Sequence, residues 1–399
     1  MNPIRKLYCR TFQTAFKIAL PFLPYRKPLT VSGAGKLPDI LCAQGCSHVL
    51  IITDQGITKL GLLTPLLQSL KMHQIAFTIY DKTVANPATA NVEEARAVFL
   101  LKDCDAIIGF GGGSSIDCAK AVGARIAQPR KSLARMKGIL KVRRRLPLLI
   151  AIPTTAGTGS ETTLASVITD SRTRRKYVIN DFPLIPRYAV LDARLTTSLP
   201  PFLTATTGLD ALTHAVEAYI GNSTTRDTRR ASLTAVRLIF ANLDRAYTNG
   251  ADLNARRNML VASFHAGYAF NKSYVGYIHA VAHSLGGEYG VPHGLANAIL
   301  LPLFLEAYGA AIYKKLHCLA MAAGLADPNT PHEAAAKCFI QAIRDMRTRF
   351  RIPDTIPDIC LADIPRLASY ADREANPLYP VPVLMDARNL EEFYRKLMP

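Results

Sequence analysis

Five short apolar segments in the first half of the chain, separated by stretches of helical pattern, limit the fold more than any other feature. They cover residues 48–53, 75–80, 106–110, 146–152 and 188–191. Their near-continuous apolar character is typical of strands covered on both faces, as in a parallel sheet flanked by helices. We therefore predict an α/β domain with a Rossmann-like parallel sheet.

The second half of the chain lacks strand patterns and consists of long segments with helical periodicity. These segments cover residues 205–220, 228–246, 253–269, 278–286, 298–310 and 332–348. The change of pattern near residues 195–200 indicates a domain boundary. We expect a basic tail at residues 1–29, the α/β domain at 30–196 and an all-α domain at 197–399.

Three histidines lie close together within residues 276–301 of the helical half. His279 and His283 are four residues apart, so they share one face of the predicted helix 278–286. The glycines and the proline between residues 286 and 292 predict a helix break and a turn before His293. A helix followed by such a return loop can bring His279 and His293 to one point.

A carboxylate and another histidine form a second pair with helical spacing. Asp210 and His214 are four residues apart on the predicted helix 205–220. Nitrogen and oxygen ligands of this kind suit a borderline divalent cation such as Fe(II), Zn(II) or Mn(II). A structural histidine is the alternative at each position, and the spacing leaves open which of His279, His283 and His293 are ligands.

A run of small residues connects the third predicted strand to the helix that follows. It consists of Gly111, Gly112, Gly113, Ser114 and Ser115. Glycines let backbone N–H groups approach a phosphate, and a helix N-terminus adds partial positive charge. We predict phosphate binding here. The run is not the G-x-G-x-x-G fingerprint, and a plain strand-to-helix turn is the alternative.

The fourth predicted strand ends in a loop rich in hydroxyl groups, residues 153–163, with the sequence PTTAGTGSETT. Open α/β sheets bind ligands at the edge formed by the carboxyl ends of their strands. We therefore predict that this loop contributes to a ligand site. Capping of a helix by Thr158 or Ser160 is compatible with that interpretation.

Composition is typical of a soluble globular protein, with 49% hydrophobic and 20% charged residues among 399. The eight cysteines are scattered and lack C-x-x-C spacing, which indicates reduced thiols in the cytoplasm. From the pattern of apolar residues we expect no segment that spans a bilayer.

The net charge of +18 is compatible with anionic partners. Residues 1–29 hold six basic and no acidic side chains, interleaved with apolar ones. They predict either a helix packed on the protein body or a frayed arm, which together we favour, or else a cationic amphipathic helix at a membrane surface. Residues 130–145 hold eight basic side chains. We interpret them as a solvated surface, and a docking site for an anionic partner is the less favoured alternative.

Taken in order, the motifs resemble those of the iron-containing alcohol dehydrogenases, also called type III. The likeness covers roughly residues 30–399. It is carried by the segments ITDQG, NPATANVEE, GGGSSIDCAKA, PTTAGTGSE, DALTHAVEAY, HAVAHSLGGEYGVPHGLANAILLP and NPLYPVPV. Several such segments in one order are far more specific than a single glycine run.

The resemblance implies the metal ligands that spacing left open. They are Asp210, His214, His279 and His293, with Fe(II) as the expected ion and Zn(II) as the alternative. His283 then matches a position implicated in proton relay and substrate contact.

The resemblance also implies an NAD site in the α/β half. Asp54 matches the acidic residue that meets the adenosine ribose, and Lys176 matches a lysine near the cofactor. The glycine run 111–115 matches the pyrophosphate loop. The residues beside the phosphates and nicotinamide are Thr154, Thr155, Thr158 and Ser160. Because a carboxylate repels a 2′-phosphate and accepts a hydrogen bond from a free 2′-OH, we expect NAD rather than NADP.

The implied function is NAD-linked interconversion of a small primary or secondary alcohol and its aldehyde or ketone. The resemblance further implies a cytoplasmic homodimer without a specific nucleic-acid partner, and weak membrane contact through residues 1–29 stays open. The nearest alternatives are a zinc polyol dehydrogenase of the glycerol type and a phosphate-eliminating synthase of the dehydroquinate type. A non-catalytic protein that binds anions or membrane surfaces is a third, which the complete set of motifs disfavours.

Overall fold

The computed structural model describes residues 1–172 and 176–399 and divides into two compact units. One unit comprises Pro24–Ser198, and the other combines Met1–Leu23 with Leu199–Pro399. The first 23 residues therefore belong to the same unit as the helical second half of the chain.

The strands all lie in the unit Pro24–Ser198. They are β1 (Leu29–Val31), β2 (His48–Ile52), β3 (Ala76–Tyr80), β4 (Ala106–Gly111), β5 (Gly138–Ile139), β6 (Leu148–Pro153), β7 (Ala165–Thr169), β8 (Lys176–Asn180) and β9 (Tyr188–Val190). Six of them form one sheet in the order β1-β9-β6-β4-β2-β3, with every neighbouring pair parallel. This confirms the predicted α/β fold with its parallel sheet.

The α-helices are distributed over both units. In chain order they are α1 (Pro3–Ala19), α2 (Leu37–Ala43), α3 (Gln55–Lys59), α4 (Thr64–Met72), α5 (Thr89–Leu101), α6 (Gly113–Ala127), α7 (Leu133–Met136), α8 (Pro201–Ile220), α9 (Arg226–Thr248), α10 (Leu253–Ser273), α11 (Tyr277–Glu288), α12 (His293–Tyr308), α13 (Tyr313–Ala322), α14 (His332–Arg349), α15 (Ile364–Ala375) and α16 (Ala387–Lys396).

The six-stranded sheet is buried on both faces because alternate residues of each strand point to opposite sides. In β2, Leu50 and Ile52 pack into one apolar cluster with residues of α5 and α6. Val49 and Ile51 of the same strand pack into a second cluster with residues of α2 and α4. Two helical layers thus explain the continuous apolar runs seen in the sequence.

Several elements were not predicted. The strand β1 has only three residues, and the strands β5, β8 and β7 form a separate small sheet. The short helices α13, α15 and α16 were missed as well. Gly286 and Gly287 lie inside α11, so the predicted break at these two residues is wrong. The chain turns at Gly290, where φ is +68°, two residues after α11 ends at Glu288.

The helix α8 is the most deeply buried element of the helical unit. From Thr204 to Ile220, every residue except Thr207 is buried. Its sequence is apolar on all sides, with Asp210, His214 and Glu217 as the exceptions that can ionise. A helix of this composition must be surrounded by other elements, so these three side chains are held in the interior.

One helix corrects the expectation that no segment could span a bilayer. Among the described residues, His293–Ala311 is long and apolar enough by composition to do so. However, 56% of its most apolar window is buried inside the protein, and a core helix of a soluble protein passes the same test. Its apolar surface is accounted for by packing within the helical unit.

Candidate metal and cofactor sites

Asp210 and His214 project from neighbouring turns of α8 into the interior of the helical unit. Asp210 is 1% exposed and His214 is 3% exposed. A buried carboxylate is unfavourable unless it is hydrogen-bonded, paired with a cation or bound to a metal. These two residues therefore form one side of a polar cluster within an apolar helix.

The other side of the cluster comes from α11 and α12. His279 lies in the first turn of α11, and His293 is the first residue of α12. Gly294 allows α12 to approach α8 closely, because a Cβ atom at this position would lie 2.7 Å from the carbonyl oxygen of Thr206. This contact places His293 beside Asp210, with 3.5 Å between Nε2 and Oδ1.

The structure brings together the four side chains that the resemblance implied as ligands. Asp210, His214, His279 and His293 each offer one ligand atom, and these atoms all lie within 4.8 Å of one another. Neither His283 nor His265 belongs to this group of described residues. One carboxylate and three imidazoles fit a divalent cation such as Fe(II) or Zn(II).

Glu217, which the sequence analysis did not single out, orients His279. His279 Nδ1 lies 2.5 Å from Glu217 Oε2, and the backbone N–H of Ile278 donates to the other carboxylate oxygen at 3.0 Å. A carboxylate on one ring nitrogen fixes the tautomer and leaves Nε2 as the ligand atom. Burial, followed by the neighbouring imidazoles, lowers the pKa of His279 well below its usual value, which favours the neutral ligand form.

Asn297 was also missed, and it lies one helical turn after His293 on α12. Its Nδ2 donates to Asp210 Oδ1 at 2.7 Å and lies 3.2 Å and 3.1 Å from Nε2 of His279 and His293. The side chain is fully buried, and its Oδ1 has no hydrogen-bond partner among the described residues. The i,i+4 spacing from His293 was the one sequence signal that could have identified it.

His283 lies beside the cluster, at its partly exposed edge. Its ring centroid is 5.2 Å from that of His293 and 6.1 Å from that of His279. His283 Nδ1 lies 2.6 Å from Glu374 Oε1 on α15, and the Tyr379 hydroxyl donates to the same oxygen at 2.8 Å. The chain Tyr379–Glu374–His283 therefore leads from the protein body to the edge of the cluster.

An aromatic ring restricts the remaining histidine of the cluster. The Phe270 ring on α10 stacks on His214 with a centroid distance of 4.1 Å and an interplanar angle of 14°. Such stacking prevents the imidazole from rotating freely. It also places an apolar surface directly beside the candidate metal ligands.

In the α/β unit, Asp54 lies next to the glycine run that follows β4. Its Oδ1 accepts from the backbone N–H of Ile57 and so caps α3, and its Oδ2 lies 3.4 Å from the donating hydroxyl of Ser115. Gly111 has φ of +146°, and a Cβ atom there would lie 2.6 Å from Ser115 Oγ. The turn thus depends on a glycine at this position.

The glycine run also meets the hydroxyl-rich loop after β6. Cβ atoms at Gly112 and Gly113 would contact Thr155 and Thr158, at 3.7 Å and 3.0 Å. The N-cap of α6 is Gly112, which has no side chain to occupy the first N–H groups of the helix. Because such N–H groups attract anions, this corner fits the pyrophosphate of a dinucleotide.

The remaining predicted residues of this loop point inward. Thr154 is buried, and its backbone N–H donates to the Gly111 carbonyl at 3.0 Å. Ser160 is also buried, and its hydroxyl donates to Asp117 Oδ1 at 2.6 Å. We infer that both residues shape the loop, and that the more exposed Thr155 and Thr158 are better placed to meet a ligand.

Lys120 and Glu161, missed in the sequence, are buried behind this loop. The Lys120 ammonium donates to Ser160 Oγ at 3.0 Å and to Thr163 Oγ1 at 2.8 Å. Burial lowers the pKa of Lys120 to about 8 and raises the pKa of Glu161 to about 7. A lysine between the small and apolar residues Cys118–Ala119 and Ala121–Val122 of α6 was the only sequence sign of this network.

Lys176 is the first residue of β8 and is exposed. It directly follows residues 173–175, which lie outside the described part of the chain. No hydrogen bond or ion pair between described residues joins its side chain to the glycine or threonine loops.

Comparisons with known proteins match both halves of the chain. Residues 30–193 match a family model described as iron-containing alcohol dehydrogenase, and residues 204–398 match the C-terminal model of the Fe-containing alcohol dehydrogenase family. The two matches span the α/β half and the helical half, and they leave α1 outside.

Individual relatives extend over most of the chain. The 1,3-propanediol dehydrogenase of Klebsiella pneumoniae is 37% identical over 365 residues, covering 90% of this chain and 93% of its own length. The NAD-dependent methanol dehydrogenase of Bacillus methanolicus is 32% identical over 372 residues, covering 88% and 97%. The crystal structure of a 1,3-propanediol oxidoreductase superposes with a TM-score of 0.89 at 34% identity, covering 94% and 99%.

These matches confirm the resemblance that the motifs suggested. They cover the strand-and-glycine half and the histidine half in the same order as in the family. With a family model on each half and relatives over about nine-tenths of its length, the chain belongs to the iron-containing alcohol dehydrogenase family.

Proposed function

We propose that this NAD-dependent alcohol dehydrogenase interconverts small primary or secondary alcohols and the corresponding aldehydes or ketones. The observation that carries the proposal is the buried cluster of one carboxylate and three imidazoles in the helical unit. The relatives named for 1,3-propanediol and methanol support a small primary alcohol as the preferred substrate.

The cluster Asp210, His214, His279 and His293 is the proposed metal site, with Fe(II) as the expected ion and Zn(II) as the alternative. When bound, the divalent cation polarises the alcohol oxygen as a Lewis acid, and NAD accepts the hydride. The chain itself supplies three imidazoles, of which Glu217 holds His279 and Phe270 holds His214, and a buried carboxylate that would balance part of the charge of the ion.

His283 is proposed to move the proton of the alcohol hydroxyl. Because Glu374 holds Nδ1, the proton is received at Nε2, and Glu374 stabilises the imidazolium that results. The side chains of His283 and Glu374 are 39% and 35% exposed, so the proton can pass on to water.

For the cofactor we propose that residues 30–196 bind NAD and that residues 197–399 bind the metal and the substrate. Asp54 would accept a hydrogen bond from the adenosine ribose, and residues 111–115 would receive the pyrophosphate. Thr154, Thr155, Thr158 and Ser160 would form the loop beside the phosphates and nicotinamide, with Lys176 near it. The adjacency of Asp54, the glycine run and the threonine loop supports this assignment.

We further propose that the enzyme works as a cytoplasmic homodimer without a specific nucleic-acid partner. All eight cysteines are free thiols, which fits a reducing compartment. The proposal of a homodimer rests on the family resemblance alone.

A coupled assay with protein purified without oxygen tests the function. NADH formation is followed with methanol, ethanol, 1-propanol, 1,3-propanediol, 2-propanol and glycerol, each with NAD and with NADP. We expect the highest kcat/KM for a short primary alcohol or diol with NAD. A clear preference for glycerol would indicate the zinc polyol alternative, and a preference for NADP would contradict the role of Asp54.

A further inference from the structure

The helix α1 docks on the helical unit through charged and polar side chains. The Arg5 guanidinium donates two hydrogen bonds to the Asp372 carboxylate of α15, at 2.8 Å and 2.7 Å. The amino group of Met1 forms an ion pair with Asp386. Of the residues along this face, Cys9 and Leu20 are 1% exposed. The first helix is therefore a fixed part of the unit, as the sequence favoured.

A second group of contacts ties α1 to the segment before α16. Arg10 donates to the carbonyl oxygens of Val381 and Pro382, at 2.7 Å and 2.8 Å. Gln13, which is buried, donates to the carbonyl oxygen of Tyr379 at 2.7 Å. These bonds satisfy backbone acceptors that no helix or strand uses.

The inward side of α1 combines Arg5, Cys9, Gln13 and the partly buried Phe16, whereas most of the large apolar residues of α1 are turned outward. Phe12 of α1 is 38% exposed, and five other large apolar side chains of α1 and the short 3₁₀ turn that follows are 58% to 84% exposed, namely Ile4, Leu7, Tyr8, Ile18 and Phe22. The helical repeat places them on one side of the helix, and we call this set the apolar stripe.

An ordinary surface helix turns its apolar side to the core, whereas α1 leaves most of its large apolar side chains in solvent. Several exposed large apolar side chains on one element mark an interaction site in many soluble proteins. The family models begin at residue 30, so α1 is an addition to the part of the chain that carries the dehydrogenase motifs.

The charge of α1 and of the whole chain indicates what kind of partner the apolar stripe binds. The first 38 residues contain no acidic side chain, and the whole chain carries a net charge of +18. Lys6 and Lys17 are exposed and lie between the apolar stripe and the docked face. Apolar residues flanked by lysines fit the boundary between anionic headgroups and acyl chains.

We propose that the apolar stripe of α1 binds the surface of an anionic bilayer. The helix lies parallel to the membrane over a length of about 25 Å. Ile4, Leu7, Tyr8, Ile18 and Phe22 enter the interface, and Lys6 and Lys17 contact the headgroups. The docked face keeps its contacts, so the enzyme binds the membrane as a peripheral protein without unfolding the helix.

The test uses the full-length protein and sedimentation with unilamellar vesicles. One set contains phosphatidylcholine alone, and the other contains about one-third phosphatidylglycerol as the anionic lipid. We expect sedimentation with the anionic vesicles that weakens as salt is added. Deletion of α1 is a poor test because it would remove the buried residue Cys9 and the Arg5 guanidinium that pairs with Asp372, and so expose the surface on which α1 packs.

Substitutions on the exposed face avoid that difficulty. The triple variant Leu7→Gln, Ile18→Gln, Phe22→Gln should bind anionic vesicles at least about tenfold more weakly. The matched control changes three exposed apolar residues elsewhere in the unit, Phe202→Gln, Leu253→Gln and Leu361→Gln, and should bind as the parent does.

Charge is tested separately. Lys6→Glu with Lys17→Glu should weaken binding several-fold, and Arg257→Glu with Lys314→Glu, which are exposed outside α1, should weaken it less. Unchanged thermal unfolding shows that each variant is folded. The proposal is overturned if the parent protein does not sediment with anionic vesicles. It is also overturned if the α1 triple variant sediments with anionic vesicles as well as the parent protein does. If the triple variant differs from the parent only in losing a self-associated form, a second copy of the chain is the partner, and the proposal is likewise overturned.

Discussion

A substitution of Asn297 can change the geometry of the metal cluster without removing one of its four proposed ligands. Its amide donates to Asp210, and this bond can persist when an ion takes the lone pairs of His279 and His293. We expect Asn297→Ala to weaken metal binding about 10- to 100-fold, as the loss of a hydrogen-bonded partner of a ligand does. Competition with a chelator measures this affinity. Asn254→Ala, at an exposed position on α10, is the control, and equal affinities in the two variants would contradict the role.

Glu161 gives the fold a specific dependence on pH. Burial raises its pKa from 4.5 to about 7, so between these values the folded chain keeps a proton that the unfolded chain has lost. Stability from this group therefore falls as pH rises through that window. Glu161→Gln should leave the unfolding free energy nearly unchanged near pH 4.5 and raise it near pH 8 by on the order of 3 kcal/mol. Denaturant unfolding at the two pH values measures the difference, and an equal effect at both would refute the explanation.

The sequence indicates the residues of the metal cluster, but not the residues that hydrogen-bond to them and hold them in place. Spacing alone left His279, His283 and His293 equivalent, because which imidazole faces Asp210 depends on how α11 packs against α12 and α15. Glu217 and Glu374 come from elements distant in sequence from His279 and His283, which they contact, and Asn297 lies one turn after His293 on the same helix. Their roles depend on burial and hydrogen bonding, which the spacing of residues along the chain does not encode.

Among the elements, α11 and α15 together create the proposed proton path. His283→Ala should retain the metal, because His283 lies outside the group of ligand atoms. Its turnover should fall by about 100-fold, as loss of a general base does, and the pH profile of kcat should change. Glu374→Gln should shift the profile in the same direction with a smaller loss. Metal analysis and kcat as a function of pH provide the readouts, and loss of metal from His283→Ala would instead identify His283 as a ligand.

The helix α1 also contacts one member of the proposed proton path Tyr379–Glu374–His283. Gln13 holds the Tyr379 carbonyl, and the Tyr379 hydroxyl donates to Glu374. A basic amphipathic pattern predicted the helix but not which of its faces packs, and the structure shows that Arg5, Arg10 and Gln13 find specific acceptors on the packed face. The parallel strands were predicted well since each is a continuous apolar run. The strands β1 and β5 were missed because three and two residues carry almost no pattern.

For the whole molecule, the division into a sheet half and a helical half follows from patterns repeated over many residues, and local errors do not alter it. The two sets of candidate residues belong to different units, the dinucleotide set to Pro24–Ser198 and the metal set to the helical unit. The reaction class, NAD-linked oxidation of an alcohol, follows from the presence of both a dinucleotide set and a metal set of residues. We expect the choice of alcohol to depend on apolar side chains beside the ligands, such as Phe270, which motifs do not specify.

The central claim is that one divalent cation, held by Asp210, His214, His279 and His293, is required for NAD-linked alcohol oxidation. Its direct test is a metal titration of chelator-treated protein in the absence of oxygen, with NADH formation from the best alcohol as the signal. We predict that activity is lost on chelation and returns in proportion to added Fe(II), or Zn(II), up to one ion per chain. The His279→Ala variant should not recover at these concentrations. Full turnover by the chelated protein, or recovery by that variant equal to the parent, would contradict the account.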